Sequence, residues 1–413
     1  MGKTKVLLKT DYLTGKILSL EDYSGDGEGD AVWVSDRRIL QSANARGRDL
    51  YFTDGKIAER EKSENDFYER MRQWKENLET CKTEIRRTFS AYAMGKNVSE
   101  AGDTLFRLNG RMRLIKRRIC HLQRSRRKRI REKVYGQLRE NAIRYYCSIC
   151  MIVKDDNEYL EEWFRWHIGQ GVEHFYLYDH GSRESVAAFA TTLPQEIREK
   201  LTVIDFGGEH EFAQHEAYND CLRRFGGESR WIGFIDSDEM VRVKETKTLP
   251  EFLKEFESYA GLFVGWIMYG ANGRVKKSNE PVRQRFTKTT DYDGQDGVGK
   301  VFVQPVMMRQ MLTHSGYPVE GFSIVDENHN AVERGQAWKP DLPHERICID
   351  HYYTKSYEEW TEKMRRGSCD PYFCRKYGEF FLYNPDMEFC REKTFPTQKY
   401  EGKKEIKIKG EIS

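Results

Sequence analysis

No stretch constrains the fold more than Trp231-Ile232-Gly233-Phe234-Ile235-Asp236-Ser237-Asp238-Glu239-Met240. Its first half has the aromatic and β-branched composition of a buried strand, and it ends in three acids within four positions. A buried strand cannot keep those charges inside, so its C-terminal end must open into a crevice. Asp236 and Asp238, two residues apart on one side of an extended backbone, would aim there at a single point. Two hard oxygen ligands suit Mg²⁺ or Mn²⁺, above all when phosphate oxygens complete the shell. In an open α/β sheet the carboxyl edge of the strands is also where ligands bind. Taken alone, Asp-x-Asp is more often a solvated turn, so its surroundings have to decide.

Those surroundings alternate strands and helices. Tyr146 to Val153 reads as a strand, and Asp155-Asp156-Asn157-Glu158 supplies N-cap chemistry for a helix carrying Leu160, Phe164 and Ile168 on one side. A strand from His174 to Tyr178 stops at Asp179. A short helix from Ser185 to Thr191, a strand from Leu201 to Phe206 and a helix from Phe212 to Phe225 lead into the Trp231 stretch. Such repetition with short links predicts a parallel, doubly wound sheet with Asp179 and Asp236 on one edge. Beyond it come a helix from Leu249 to Phe256, a strand from Leu262 to Met268, a glycine-rich polar stretch to Gly299 and a strand from Lys300 to Val306. A segment with His314, His329 and His344 follows, and Ile347 to Ser356 leads into a helix near Tyr357.

At 413 residues the chain has room for two or three domains. Residues 1–60 read as a small β-rich module, 61–140 as a basic helical hairpin or linker, 141–392 as the α/β domain and 393–413 as a charged tail. A total of 69 basic and 66 acidic residues argues against a wholesale polyanion binder. Locally that balance fails. Arg111 to Arg131 is intensely basic, with Leu108, Met112, Ile115, Ile119 and Leu122 as an apolar stripe. Three readings stand: a solvated helix packed on a neighbour, a contact with an anionic membrane or a partner protein, and a nucleic-acid contact, ranked last. Trp and Phe are absent from the stripe, which weakens the membrane case. Nine scattered cysteines fit a reduced, intracellular chain, and Cys147-x-x-Cys150 lies in a strand, where positions three apart face opposite sides. Without a secretory signal or an uncharged run of about 18 residues, the expectation is a cytoplasmic or membrane-peripheral protein.

The ordered set Ser148 to Glu158 with Glu161 and Trp163, Tyr176-Leu177-Tyr178-Asp179, Gln214 and Cys221, Trp231 to Glu239, Trp266 to Gly273, Arg285-Phe286-Thr287 and His351-Tyr352-Tyr353-Thr354-Lys355-Ser356 resembles glycosyltransferase family 92 and the family-2-like bacterial enzymes related to it. The resemblance covers about Tyr145 to Tyr383. It implies a GT-A fold, that is a Rossmann-like, mostly parallel sheet with flanking helices, and a nucleotide sugar, UDP-linked, held through a divalent cation. Asp238 would be the direct metal ligand, Asp236 would face ribose or metal, and His351 would approach the cation from the C-terminal side. Asp179 would accept hydrogen bonds from base or ribose, or else cap a turn. Lys355 would neutralise diphosphate, and Trp266 with Asn272 would form a sugar platform. Inversion at the sugar calls for a general base, for which Glu320, Asp326 and Asp296 are the candidates, each with a surface role as its alternative.

Two departures stand out. No stretch here reads as the amino-terminal anchor that the resemblance leads one to expect from eukaryotic relatives, and Thr289 to Gly299 follows no family pattern, leaving the saccharide acceptor open. The rival functions are a metal-dependent nucleotidyltransferase, disfavoured by the lack of glycine at Lys154-Asp155-Asp156-Asn157, and a nucleic-acid-binding protein acting through Arg111 to Arg131.

Overall fold

A computed structural model describes residues 4–10, 17–22, 30–34, 50–53, 56–59, 62–95, 98–140, 142–245, 247–290, 297–367 and 375–387. Asp296 and the tail at 393–413 lie outside the described residues. The chain divides into two compact units, Met1–Glu140 and Asn141–Ser413.

In the first unit, β1 (Thr4–Thr10), β2 (Ile17–Asp22) and β3 (Asp30–Val34) form an antiparallel sheet in the order β2-β1-β3, and β4 (Leu50–Thr53) pairs with β5 (Lys56–Glu59) as a hairpin. Two long helices follow, α1 (Lys62–Ala93) and α2 (Val98–Glu140), packed antiparallel. Phe67, Met71 and Cys81 of α1 and Ala101, Ile115 and Val134 of α2 are buried. The Arg126 guanidinium of α2 lies over the Phe67 and Tyr68 rings and donates to the Tyr68 hydroxyl at 3.1 Å.

The second unit begins with β6 (Tyr145–Val153), α3 (Asn157–Gly169), β7 (His174–Asp179), α4 (Val186–Ala190), α5 (Gln195–Arg198), β8 (Leu201–Asp205), α6 (Ala213–Phe225) and β9 (Ser229–Phe234). It continues through β10 (Glu239–Val243), α7 (Leu249–Leu253), β11 (Gly261–Met268), α8 (Val282–Arg285), β12 (Gly299–Val303), β13 (Met308–Met311), β14 (Gly316–Pro318), β15 (Ile324–Val325), β16 (Ala331–Val332), β17 (Ile347–His351), α9 (Tyr357–Arg366) and α10 (Glu379–Tyr383). Among the described residues ten of these strands join one sheet in the order β10-β17-β11-β12-β9-β6-β7-β8, with β15 attached to β11 and β16 to β15. The run β9-β6-β7-β8 is parallel throughout. This is a mixed α/β, GT-A-like architecture with a mostly parallel sheet between helices.

Alternate residues of β6 enter different packing layers. Cys147, Ile149, Met151 and Val153 join the cluster with Leu160, Trp163 and Phe164 of α3, whereas the Cys150 thiol meets Cys221 of α6. Both thiols of the Cys-x-x-Cys are therefore buried on opposite faces.

Two features of the sheet were not expected. Strand β12 runs antiparallel between β11 and β9, and Glu239–Val243, for which the sequence suggested no element, is an edge strand antiparallel to β17. In a flat sheet β9 and β10 would lie roughly 19 Å apart, about the full reach of the links between Phe234 and Glu239. Those residues are not fully extended, since Glu239 N–H donates to the Asp236 carbonyl at 3.1 Å. The sheet therefore curls. Strand β11 makes the bend by changing partners, pairing through Gly261–Gly265 with β12 and through Trp266–Met268 with β17.

Gly233 sits where a Cβ would overlap the Phe302 ring of β12. We expect Gly233→Ala to lower stability by about 1–3 kcal/mol through overpacking, read as a lower urea midpoint at unchanged slope. A second test concerns His167, whose ring is buried, donates through Nδ1 to the Trp163 carbonyl at 2.9 Å and accepts from Val241 N–H at 3.2 Å. Burial pushes its pKa from 6.5 to about 3. The unfolded chain then binds the extra proton first, so stability is full above about pH 6.5 and declines as the pH falls toward 3. His167→Gln should lower stability at neutral pH yet shrink the difference between denaturation midpoints measured at neutral and acid pH.

Candidate active site

The acid-rich turn between β9 and β10 is held by its backbone. Trp163 Nε1 of α3 donates to the Asp236 carbonyl at 3.1 Å and the Glu239 carbonyl at 2.7 Å. Tyr352 N–H donates to the Asp238 carbonyl at 2.8 Å, and the Glu239 carboxylate accepts from Asp236 N–H at 2.8 Å. Glu239 is wholly buried, and burial, reinforced by Asp236 and Asp238, drives its pKa well up against the pull of Lys300. It braces the turn and does not line the cavity.

The two aspartates have different partners. Asp236 Oδ2 pairs with Lys300 Nζ of β12 at 2.8 Å, and its Oδ1 accepts from Gln214 Nε2 at 2.9 Å and Tyr218 O–H at 3.1 Å, both on α6. Lys300 is fully buried; burial alone would lower its pKa, but attraction to Asp236 and Glu239 outweighs it and the ammonium is retained. Asp238 Oδ2 pairs with Lys363 Nζ of α9 at 2.5 Å, and its Oδ1 lies 3.6 Å from His351 Nε2 at the end of β17. Burial would raise the Asp238 pKa, yet Lys363 and His351 hold it well below the usual carboxylate range. Burial lowers the pKa of His351 against the attraction of Asp238. Lys363 is pushed down to about 8 by burial, helped by Arg375 and Lys355 and opposed by Asp238. One helical turn beyond Lys363, Arg366 pairs with Asp156, which also accepts from the Ser237 hydroxyl at 2.6 Å. Asp156, expected to cap α3, makes no side-chain cap hydrogen bond, because its carboxylate is drawn to this pair instead.

A cavity of about 380 Å³ opens beside the turn, with Asp236, Asp238, His351, Trp266 and His180 on its walls. Asp156, Tyr353, Lys363 and Arg366 also border a second cavity of about 600 Å³. Lys355 lies in this second cavity, where a left-handed backbone (φ +50°) lays its ammonium 3.8 Å from the centre of the Tyr159 ring.

The remaining sequence candidates scatter. Trp266 lines the cavity against the His351 ring, at 4.3 Å between centroids. Asp179 is buried at the tip of β7, and its two oxygens accept from Ser182 N–H and Val186 N–H, each at 2.9 Å, so it caps the chain turning into α4 and does not line the cavity. Asn272 is displaced from the site: at φ +53° it closes its own loop, donating to the Arg285 carbonyl at 3.3 Å and the Thr287 hydroxyl at 3.2 Å. Asp326 does not suit a base, because it is buried in the β15–β16 turn, accepts from Asn328 and Asn330 N–H at 2.9 Å and pairs with Lys339 at 3.0 Å. Glu320, in the turn after β14, borders neither cavity. Sequence reasoning missed Lys300, Lys363, Arg366 and the true role of Asp156. The one available signal was the spacing of Lys363 and Arg366, which puts two cations on one face of the helix after the His351 run.

Residues 145–369 match the family model for glycosyltransferase family 92, a span holding both aspartates, His351 and all four of the cations and acids just named. This chain belongs to glycosyltransferase family 92. A family 92 protein of Ricinus communis is 27% identical over 225 residues, covering 53% of this chain and 37% of the relative. One of Oryza sativa subsp. japonica is 22% identical over 142 residues, covering 34% and 24%. A galactan beta-1,4-galactosyltransferase of Arabidopsis thaliana is 27% identical over 123 residues, covering 28% and 24%. Each match spans well under half of the relative's own length. Strands β1–β5 and helices α1 and α2 precede the family 92 match.

The donor set fits a cation shared with a ligand. Asp238 Oδ1 and His351 Nε2, 3.6 Å apart, are the groups that would hold such a cation. Asp236 is already engaged through both oxygens, and among the described residues no three metal-ligating side chains converge. Phosphate oxygens and water would have to supply the rest of the shell.

Lys300 is the buried counter-charge of the half-buried Asp236. We expect Lys300→Met to destabilise by about 1–3 kcal/mol in urea unfolding, since it leaves Asp236 without its counter-charge. Adding Asp236→Asn to it should restore part of the loss.

Proposed function

We propose that residues 145–369 form the catalytic core of a glycosyltransferase that moves a hexose from a UDP-sugar to a saccharide acceptor, with inversion, in polysaccharide or surface-glycan assembly. The observation that carries this reading is the meeting of Asp238 and His351 at 3.6 Å on the wall of a cavity that Lys363 and Arg366 also line. The galactan galactosyltransferase among the relatives supports a glycan acceptor.

In this reading Asp238 and His351 hold Mn²⁺ or Mg²⁺, which when bound offsets the charge that develops on the departing diphosphate. Lys363 and Arg366, with Lys355 from the adjoining cavity, add cationic donors for phosphate oxygens. Asp236, fastened by Lys300, Gln214 and Tyr218, fixes the turn that carries Asp238 and leaves Ser237 beside Asp156. Trp266 presents an aromatic wall to the sugar. The cavity-lining carboxylates Asp156, Asp236 and Asp238 are each ion-paired, so the base that deprotonates the acceptor is sought beyond them, with Asp296 still a candidate.

Calorimetric titration of UDP with and without Mn²⁺ tests the reading. The expected result is metal-dependent binding that weakens about 10–100-fold in Asp238→Ala and in His351→Ala. Binding indifferent to the metal and to Asp238→Ala would sink it. Donor hydrolysis across a small panel of nucleotide sugars then reads out the sugar.

A further inference from the structure

The helical hairpin of the first unit lies outside the family 92 match and plays no part in the function proposed above. Helix α2 holds 14 basic residues against four acidic ones, a net of +10 in a chain whose total is +3. Three of them form a row behind an aromatic side chain. At 100° per residue, Phe106, Arg113, Arg117 and Arg124 fall on one line within about 20°, and all four are exposed. Ile115 lies on the opposite side and is buried. The apolar stripe of α2 therefore supplies packing residues such as Ile115, and the aromatic missing from that stripe stands outside it, ahead of a row of arginines.

The hairpin's end is apolar in its own right. Phe106 is 75% exposed, Met94 71% and Phe89 62%, and Tyr92 is exposed as well. The register set by Tyr68 opposite Arg126 brings Phe89 of α1 and Phe106 of α2 within about one turn of the same level. Exposed aromatic and Met side chains grouped at one end, with a cationic row behind them, combine the two requirements of interfacial binding: apolar area to bury and charge to attract anionic headgroups. A second copy of the helix would set one cationic row against another. A nucleic acid would satisfy the arginines and leave the apolar end in water. None of the described helices is long and apolar enough to cross a membrane.

We propose that this hairpin docks on an anionic lipid surface, with Phe89, Met94 and Phe106 entering the headgroup boundary and the Arg113–Arg124 row lying along the lipid phosphates. The contact is peripheral and electrostatically reversible.

Co-sedimentation of the full chain with extruded vesicles tests it. The protein should pellet with phosphatidylcholine vesicles containing about a third phosphatidylglycerol and not with phosphatidylcholine alone. Raising the salt from about 0.1 M to about 0.5 M should release it. Phe89→Ser with Phe106→Ser, and separately Arg113→Gln with Arg117→Gln and Arg124→Gln, should each weaken binding at least about tenfold, with helicity by circular dichroism unchanged. No binding to the anionic vesicles, or equal binding to both kinds, would overturn the proposal. So would a random DNA duplex that strips the protein from the vesicles and binds the double Phe variant as well as the wild type. The loss of a solution dimer in that same variant would also overturn it, assigning the apolar end to a second copy.

Discussion

The second unit depends on how the charge of its acid-rich turn is balanced. Asp236, Asp238 and Glu239 come together at the end of a buried strand, with Glu239 wholly buried and the two aspartates half-buried at the cavity wall. Lys300 reaches Asp236 from the neighbouring antiparallel strand, Lys363 reaches Asp238 from a helix more than a hundred residues along the chain, and Glu239, whose pKa burial drives upward, satisfies a backbone amide. Each acid has its own solution, and each solution recruits a different element. Strand β12 has to lie beside β9 for Lys300 to reach the pair, and α9 has to cross the strand ends for Lys363 to do so. The charge balance and the topology therefore constrain each other.

That helix is in turn fixed by a second buried pair. Glu359 forms a capping box with Ser356, binds Arg285 through two hydrogen bonds of 2.8 and 3.0 Å and accepts from the Tyr159 hydroxyl at 2.9 Å. One carboxylate so joins the start of α9 to α3 and α8, and sets the turn from which Lys363 and Arg366 project. The left-handed residue Lys355 lies immediately before this cap, in a conformation that the surrounding contacts hold in place.

Much of this was legible in the sequence because local signals suffice for local structure. The order of strands and helices from Tyr146 to Phe234 follows from periodicity and from the aromatic and β-branched runs, and the split of Cys147 and Cys150 follows from the period of two. The meeting of Asp238 with His351 was reached only through the resemblance, since nothing local ties residues so far apart. Partner choice was not legible. Nothing in Lys300 or Lys363 marks it as a buried counter-charge rather than a solvated lysine, and Asp156 followed by Asn157 and Glu158 looks like a cap until the arginine that claims it is seen. Asn272 and Asp326 were misjudged for one reason: Asn and Asp that stabilise their own turns carry the same sequence signature as those that bind ligands.

The partner exchange of β11 has a consequence for the Asp-x-Asp turn. Asp236 is moored to the broad sheet through β12 and α6, while Asp238 and His351 ride together on the narrow β10–β17 ladder, where Glu239 lies opposite His351. Ser237 is the seam between them. The motif is thus asymmetric by construction, with Asp236 moored to β12 and α6 and Asp238 paired with β17 and α9. The two carboxylates therefore answer to different parts of the chain, one to Lys300 and the other to Lys363 and His351.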